Sequence, residues 1–109
     1  MSQLATLQEI QNKIMELAAE KGFGTTPEEI SVPEKIALIH SEVSEAYEAY
    51  RHNNIEGKDG FYEELGDIIA RVLHLCGIFN IDIQSEILKK IEVNKDRDWN
   101  WDELNESQK

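Results

Sequence analysis

The sequence predicts an all-α protein, a four-helix-bundle-like domain that works as an oligomer. Three observations carry this. Apolar residues recur at three- and four-residue steps in four separate segments. No segment alternates apolar and polar residues as a half-buried strand would. Each periodic segment is bounded by capping residues or helix breakers. Four helices around one core is the economical architecture for such a chain.

Leu4, Leu7, Ile10, Ile14 and Leu17 place the first helix at roughly residues 3–21, and Gly22-Phe23-Gly24 stops it. Thr26-Pro27-Glu28-Glu29 has the order of a cap, a first-turn proline and a capping-box acid, so a short helical turn is expected there. Ser31-Val32-Pro33-Glu34 repeats it and opens a second long helix, about 33–52, with the apolar stripe Ile36, Ile39, Val43, Ala46, Tyr47 and Tyr50. A polar loop through Gly57 and Gly60 follows, and a third helix runs from about Phe61 to Ile78. Asp82 caps a fourth, about Ile83 to Asp96, whose expected buried face is Ile83, Ile87, Leu88 and Ile91. The last residues, 100–109, form a polar tail, with Trp99 and Trp101 at its start.

The third helix is apolar over a wide arc, and its back carries Gly66, Ala70 and Gly77 where a surface helix would carry Lys and Glu. Small residues let another helix approach closely. We therefore expect this helix to be packed on two sides, with a second copy of the chain on the back face, in a dimer or tetramer. Chance small residues on a solvated face are the alternative.

The 109 residues suffice for one domain. Twenty-two Asp and Glu against 11 Lys and Arg leave a net charge of −11, which repels phosphate backbones and argues against nucleic-acid binding. The longest apolar run, Ile36 to Ile39, is far short of the roughly 20 residues of a membrane span. With a single cysteine, Cys76, and no signal-peptide pattern, a cytoplasmic protein is expected.

Two acidic pairs stand out. Glu42-Val43-Ser44-Glu45 lies within the second helix and Glu64-Leu65-Gly66-Asp67 near the start of the third. At i,i+3 spacing each pair projects from one side of its helix, with Cβ atoms about 5–6 Å apart. Glu42 and Glu45 continue the apolar line from Leu38 to Ala49, and Glu64 and Asp67 flank the apolar arc together with Arg71 and His74. Antiparallel pairing of the two helices would bring four carboxylates together. Such convergence requires either raised pKa values or a cation, and all-oxygen ligation suits Mg²⁺, or Mn²⁺ as a substitute. Solvent-facing acids of an acidic helical protein give the same spacing, but two motifs beside apolar stripes on consecutive helices are more specific. On the fourth helix Lys90, Asn94 and Arg97 share one side and form a candidate phosphate clamp. A basic last turn favoured by the helix dipole explains them nearly as well.

These residues resemble the MazG-like all-α nucleoside triphosphate pyrophosphohydrolases, whose signature is E-x-x-E, a variable gap, then E-x-x-D. Glu42 to Glu45 and Glu64 to Asp67 match it, with residues 46–63 between them. Lys90-Ile91-Glu92-Val93-Asn94-Lys95-Asp96-Arg97 is similar to the family's fourth-helix segment, and the resemblance covers about residues 5–99, so that residues 1–109 read as one such domain. It implies that Glu42, Glu45, Glu64 and Asp67 ligate Mg²⁺, that one carboxylate, with Glu45 the candidate, serves as general base, and that Lys90, Asn94 and Arg97 bind the phosphates. The implied reaction converts a (d)NTP to a monophosphate and pyrophosphate, in nucleotide-pool control or house-cleaning. Arg71 departs from the family, many of whose members carry an aromatic there. It can pair with Asp67 or reach a phosphate, and the change leaves the substrate open. Phe23, His40, Tyr47, Tyr50, Trp99 and Trp101 are candidates to stack on a base. Cys76 is expected in the core and His74 at the surface. Phosphoribosyl-ATP pyrophosphohydrolase, a dUTP or dCTP hydrolase, and a non-catalytic acidic helical interaction module are the competing functions.

Overall fold

The computed structural model describes residues 4–97, which hold four α-helices and no strand. They are α1 (Leu7–Lys21), α2 (Val32–Arg51), α3 (Phe61–Ile78) and α4 (Ile83–Asp96), with a 3-10 turn at Pro27–Glu29 in the first connection. α3 and α4 run where the sequence places them, and α2 begins and ends one residue earlier. α1 begins four residues later than its apolar spacing suggests, because Thr6 caps it. The Thr6 backbone is extended, and its hydroxyl accepts the Glu9 N–H at 3.1 Å. Leu4 thus precedes the helix and is exposed. Thr6→Ala is expected to lower stability by about 1 kcal/mol, read by chemical denaturation.

The α1–α2 connection departs from its expected cap. The Thr26 side chain makes no cap bond, although its carbonyl accepts the Glu29 N–H at 3.1 Å. Instead the Thr25 and Thr26 hydroxyls donate to Glu29 Oε1 at 3.2 and 3.0 Å. Those bonds, that from Thr26 first, hold the Glu29 carboxyl below its ordinary range. Ser31 does cap α2, accepting the Glu34 N–H at 3.4 Å, and Asp82 caps α4 as expected, accepting from Ser85 N at 3.1 Å.

The α2–α3 loop decides where the acidic motifs meet. Asn54 donates through Nδ2 to the Lys58 carbonyl, and its own carbonyl accepts the Phe61 N–H. Gly60 sits so close to the Ile55 and Gly57 carbonyls that a Cβ would lie 2.9 and 2.7 Å from them. This tight turn returns α3 antiparallel to α2, with the Tyr50 and Phe61 rings edge to face, 5.4 Å apart.

α3 is central, packed by α2 on one side and α1 on the other, and α4 lies against α1. The two-sided packing expected of α3 is therefore supplied within one chain. Gly77 sits against Met15 of α1 rather than against a second copy, and Ala70 faces a cavity; only Gly66 remains open. The buried apolar residues are Ala18, Ala46, Leu73, Cys76 and Ile78. Two expected stripes are far less covered than their periodicity suggests. On α2 only Ala46 is buried, while Ile36, Val43, Tyr47 and Tyr50 are exposed; on α4 Ile87, Leu88 and Ile91 are exposed. Periodicity identifies a face that requires cover, and the described residues do not cover those faces. Cys76 is core as expected, and burial pushes its thiol pKa up, leaving it a poor nucleophile. No helix among the described residues is long and apolar enough to cross a membrane.

Candidate metal and nucleotide site

Antiparallel pairing brings the two acidic motifs together across the α2–α3 seam. Carboxylate oxygens of Glu42, Glu64 and Asp67 all lie within 4.8 Å of one another. Glu45, the fourth signature acid, is exposed and falls outside this tight group. It is near enough for its charge to raise the Glu64 pKa.

The electrostatics are those of crowded like charges. The Glu64 pKa is pushed up to about 7, first because Glu64 shares a proton with Glu42, then by desolvation and by the charges of Glu42, Glu45 and Asp67. Desolvation foremost, then Glu42, also raises the Asp67 pKa, against an opposing pull from Arg71. Oε2 of Glu42 and Oε2 of Glu64 are both buried without a hydrogen-bond donor. Such acceptors are costly unless a proton or cation meets them.

Arg71 is a cation tied into the group. Its Nη2 lies 3.2 Å from Glu42 Oε1, across the helix seam. The pairing expected within α3, with Asp67, is thus taken over by a partner on α2. Its Nε is buried with no acceptor. His74 is not the surface residue its sequence position suggests. It is half-buried, and its Nε2 lies 2.9 Å from the Gly24 carbonyl, tethering the α1–α2 connection to α3.

A cavity of about 330 Å³ opens directly beside the acids, sharing Asp67 and Arg71 with them. Its apolar wall comes from Ile14, Leu17 and Ala18 of α1, Phe23 and Ala70, and its polar groups include Lys35 and His74. Of the stacking candidates among the described residues, only Phe23 lines it. Tyr47 lies under the Arg51 guanidinium at 5.7 Å, Tyr50 packs on Phe61, and His40 is exposed. Trp99 and Trp101 lie outside the described residues. The role of Lys35 has no sequence signal, since a lysine in the first turns of an amphipathic helix is ordinary; only the fold brings it to the cavity. The three clamp candidates, Lys90, Asn94 and Arg97, are on α4, whose main packing partner is α1.

Comparison with known proteins finds no match: no family model, no curated protein and no solved structure aligns with the chain.

Proposed function

We propose that this protein is a Mg²⁺-dependent nucleoside triphosphate pyrophosphohydrolase of the MazG-like all-α type. It would convert (d)NTP to (d)NMP and pyrophosphate in nucleotide-pool control or house-cleaning. The observation that carries the reading is the meeting of Glu42, Glu64 and Asp67 within 4.8 Å, with two buried carboxylate oxygens unpartnered. The donor set fits the ion: hard carboxylate oxygens only, with neither imidazole nor thiolate in the group. When bound, Mg²⁺ or Mn²⁺ would polarise the phosphates and lower the pKa of a water.

Glu42, Glu64 and Asp67 would hold the metal. Arg71 fixes the Glu42 carboxylate by its ion pair and offsets part of the negative charge. Glu45, exposed one turn along from Glu42, would complete the carboxylate set and take the proton of the water attacking the α-phosphorus. Lys90, Asn94 and Arg97 would neutralise charge on the departing pyrophosphate. The cavity beside the acids is of a size to take the base. The proposal includes a homo-oligomer, because Tyr47, Tyr62, Ile69 and Leu88 are each more than half exposed, an apolar surface that calls for cover. It places the enzyme in the cytoplasm, where Cys76 stays reduced.

Product chromatography tests the reading. The protein is incubated with a panel of NTPs, dNTPs and phosphoribosyl-ATP, with and without Mg²⁺. Monophosphate and pyrophosphate are expected, and only with the metal. Diphosphate and phosphate would assign the cleavage to the wrong bond, and no product from any substrate would remove the enzymatic reading.

A further inference from the structure

We infer that Arg71 biases the acidic seam toward Mg²⁺ against Ca²⁺, by holding one oxygen of Glu42 so that this carboxylate can give a metal only the other. This role for Arg71 rests on the metal-dependent reading above and names the residue that selects its ion.

The two ions ask different things of a carboxylate. Mg²⁺ is small, takes about six oxygens at about 2.0–2.1 Å and keeps several of them as water, so single carboxylate oxygens suit it. Ca²⁺ takes roughly six to eight oxygens at about 2.3–2.6 Å, and often fills that larger shell by binding both oxygens of one carboxylate. Where few side chains supply the ligands, the number of oxygens each can give decides between the ions.

Glu42 can give one. Its Oε1 lies 3.2 Å from Nη2 of Arg71, whereas its Oε2 is buried with no hydrogen-bond donor. The two oxygens of this carboxylate therefore differ: one faces a cation, and the other is open to a metal. An ion that reached for Oε1 as well would have to approach the guanidinium. The Glu42 side chain is only 12% exposed, so little water screens the repulsion between two cations on that oxygen.

The guanidinium is held where it stands. Arg71 belongs to α3 and Glu42 to α2, so their contact spans the seam between two packed helices. The Arg71 Nε is buried too, which places the inner part of the side chain within the packing. On the opposite motif, Glu64 presents a buried Oε2 without a donor, and Asp67 completes the group. With three side chains meeting there, one oxygen withheld at Glu42 weighs most on the ion that needs the larger shell.

Competition against Mn²⁺ tests this without any hydrolysis. The full-length, metal-stripped chain is loaded with Mn²⁺, and Mg²⁺ or Ca²⁺ is titrated in while electron paramagnetic resonance reads the Mn²⁺ released. Broadening of the Glu42, Glu64 and Asp67 amide signals in the ¹⁵N-labelled chain locates the ion at the seam. Removing a positive charge strengthens both ions alike, so the ratio of their affinities is the readout. In Arg71→Met the Ca²⁺-to-Mg²⁺ affinity ratio is expected to rise about tenfold over the parent. Arg71→Gln, equally neutral, takes its place if circular dichroism shows that the Met variant does not fold. Arg71→Lys is expected to stay within about twofold of the parent, because the contact is one nitrogen on one oxygen and a lysine charge can stand there. An unchanged ratio in the neutral variant, or an equal rise in Arg71→Lys, would overturn the role of Arg71 and leave the metal site standing. Mn²⁺ bound elsewhere, or not at all, would remove the metal site and this role with it. A shifted ratio in a protein that hydrolyses no triphosphate keeps the role of Arg71 and removes the enzyme.

Discussion

Glu64→Gln is expected to cut Mg²⁺-dependent turnover by at least about 10²-fold while helicity survives. The change keeps the side chain's shape and removes a carboxylate from the group of three that meets across the α2–α3 seam. An amide cannot replace the negative charge that a hard divalent ion requires. Steady-state kinetics with a metal titration read the loss, and circular dichroism reads the fold. Unchanged turnover would sink the assignment of the site.

The same substitution should act in the opposite direction on the stability of the metal-free protein. Glu64 rises from an ordinary 4.5 to about 7 in the folded chain. Below pH 4.5 both states hold the proton. Between 4.5 and about 7 the unfolded chain releases it while the folded chain keeps it, so stability falls as pH rises and the fall is complete above the folded value. Asp67, also raised, acts in the same direction from 3.8 upward. Glu29 and Asp82 are lowered and act with the opposite sign, but below 4.5 and 3.8 respectively, outside this window. The melting temperature in EDTA should therefore be lower at about pH 8 than at about pH 5. Glu64→Gln should flatten that dependence and melt higher than the parent at the alkaline end. Added Mg²⁺ should stabilise the parent there, because it binds the folded state alone, and leave the variant nearly unmoved.

Much of this site is legible in the sequence because it is built from local rules. The i,i+3 spacing puts Glu42 with Glu45 and Glu64 with Asp67, and a short loop makes the two helices antiparallel neighbours. The α3 and α4 boundaries follow from their helix breakers and from the Asp82 cap. What spacing does not contain is rotation about the helix axis and the register between helices. Those decide that Glu42, not Glu45, joins the α3 acids, and that Arg71 reaches across to Glu42 rather than along α3 to Asp67. They also bring Lys35 and His74 to one cavity from helices whose sequences show no sign of it. A capping motif is local too, yet Thr26 accepts no backbone N–H and only donates its hydroxyl to Glu29 Oε1.

The small residues on the back of α3 make the same point and lead to a second large effect. Gly77→Leu is expected to lower stability by about 1–3 kcal/mol. A Cβ at Gly77 would run into the Met15 side chain, whose Cγ and Sδ fill the space above the glycine. Removing a helical glycine by itself returns up to about 1 kcal/mol, so the net loss measures the collision rather than propensity. Met15 is flexible enough to yield to a single methyl group, which is why Leu and not Ala is the informative replacement. To make room α1 must back away from α3. Gln11 couples that movement to α4, because it is buried on α1 and donates through Nε2 to the Ile81 carbonyl at 3.2 Å, just ahead of α4. Gly66, on the same helix, has nothing within 4 Å of its Cβ position, so Gly66→Ala should raise stability by up to about 1 kcal/mol. Urea denaturation of the two variants at matched protein concentration separates the sites. Opposite signs place α1 over Gly77 within one chain. A loss at both positions, growing as the protein is diluted, would mean instead that the whole small-residue line is covered by a second copy.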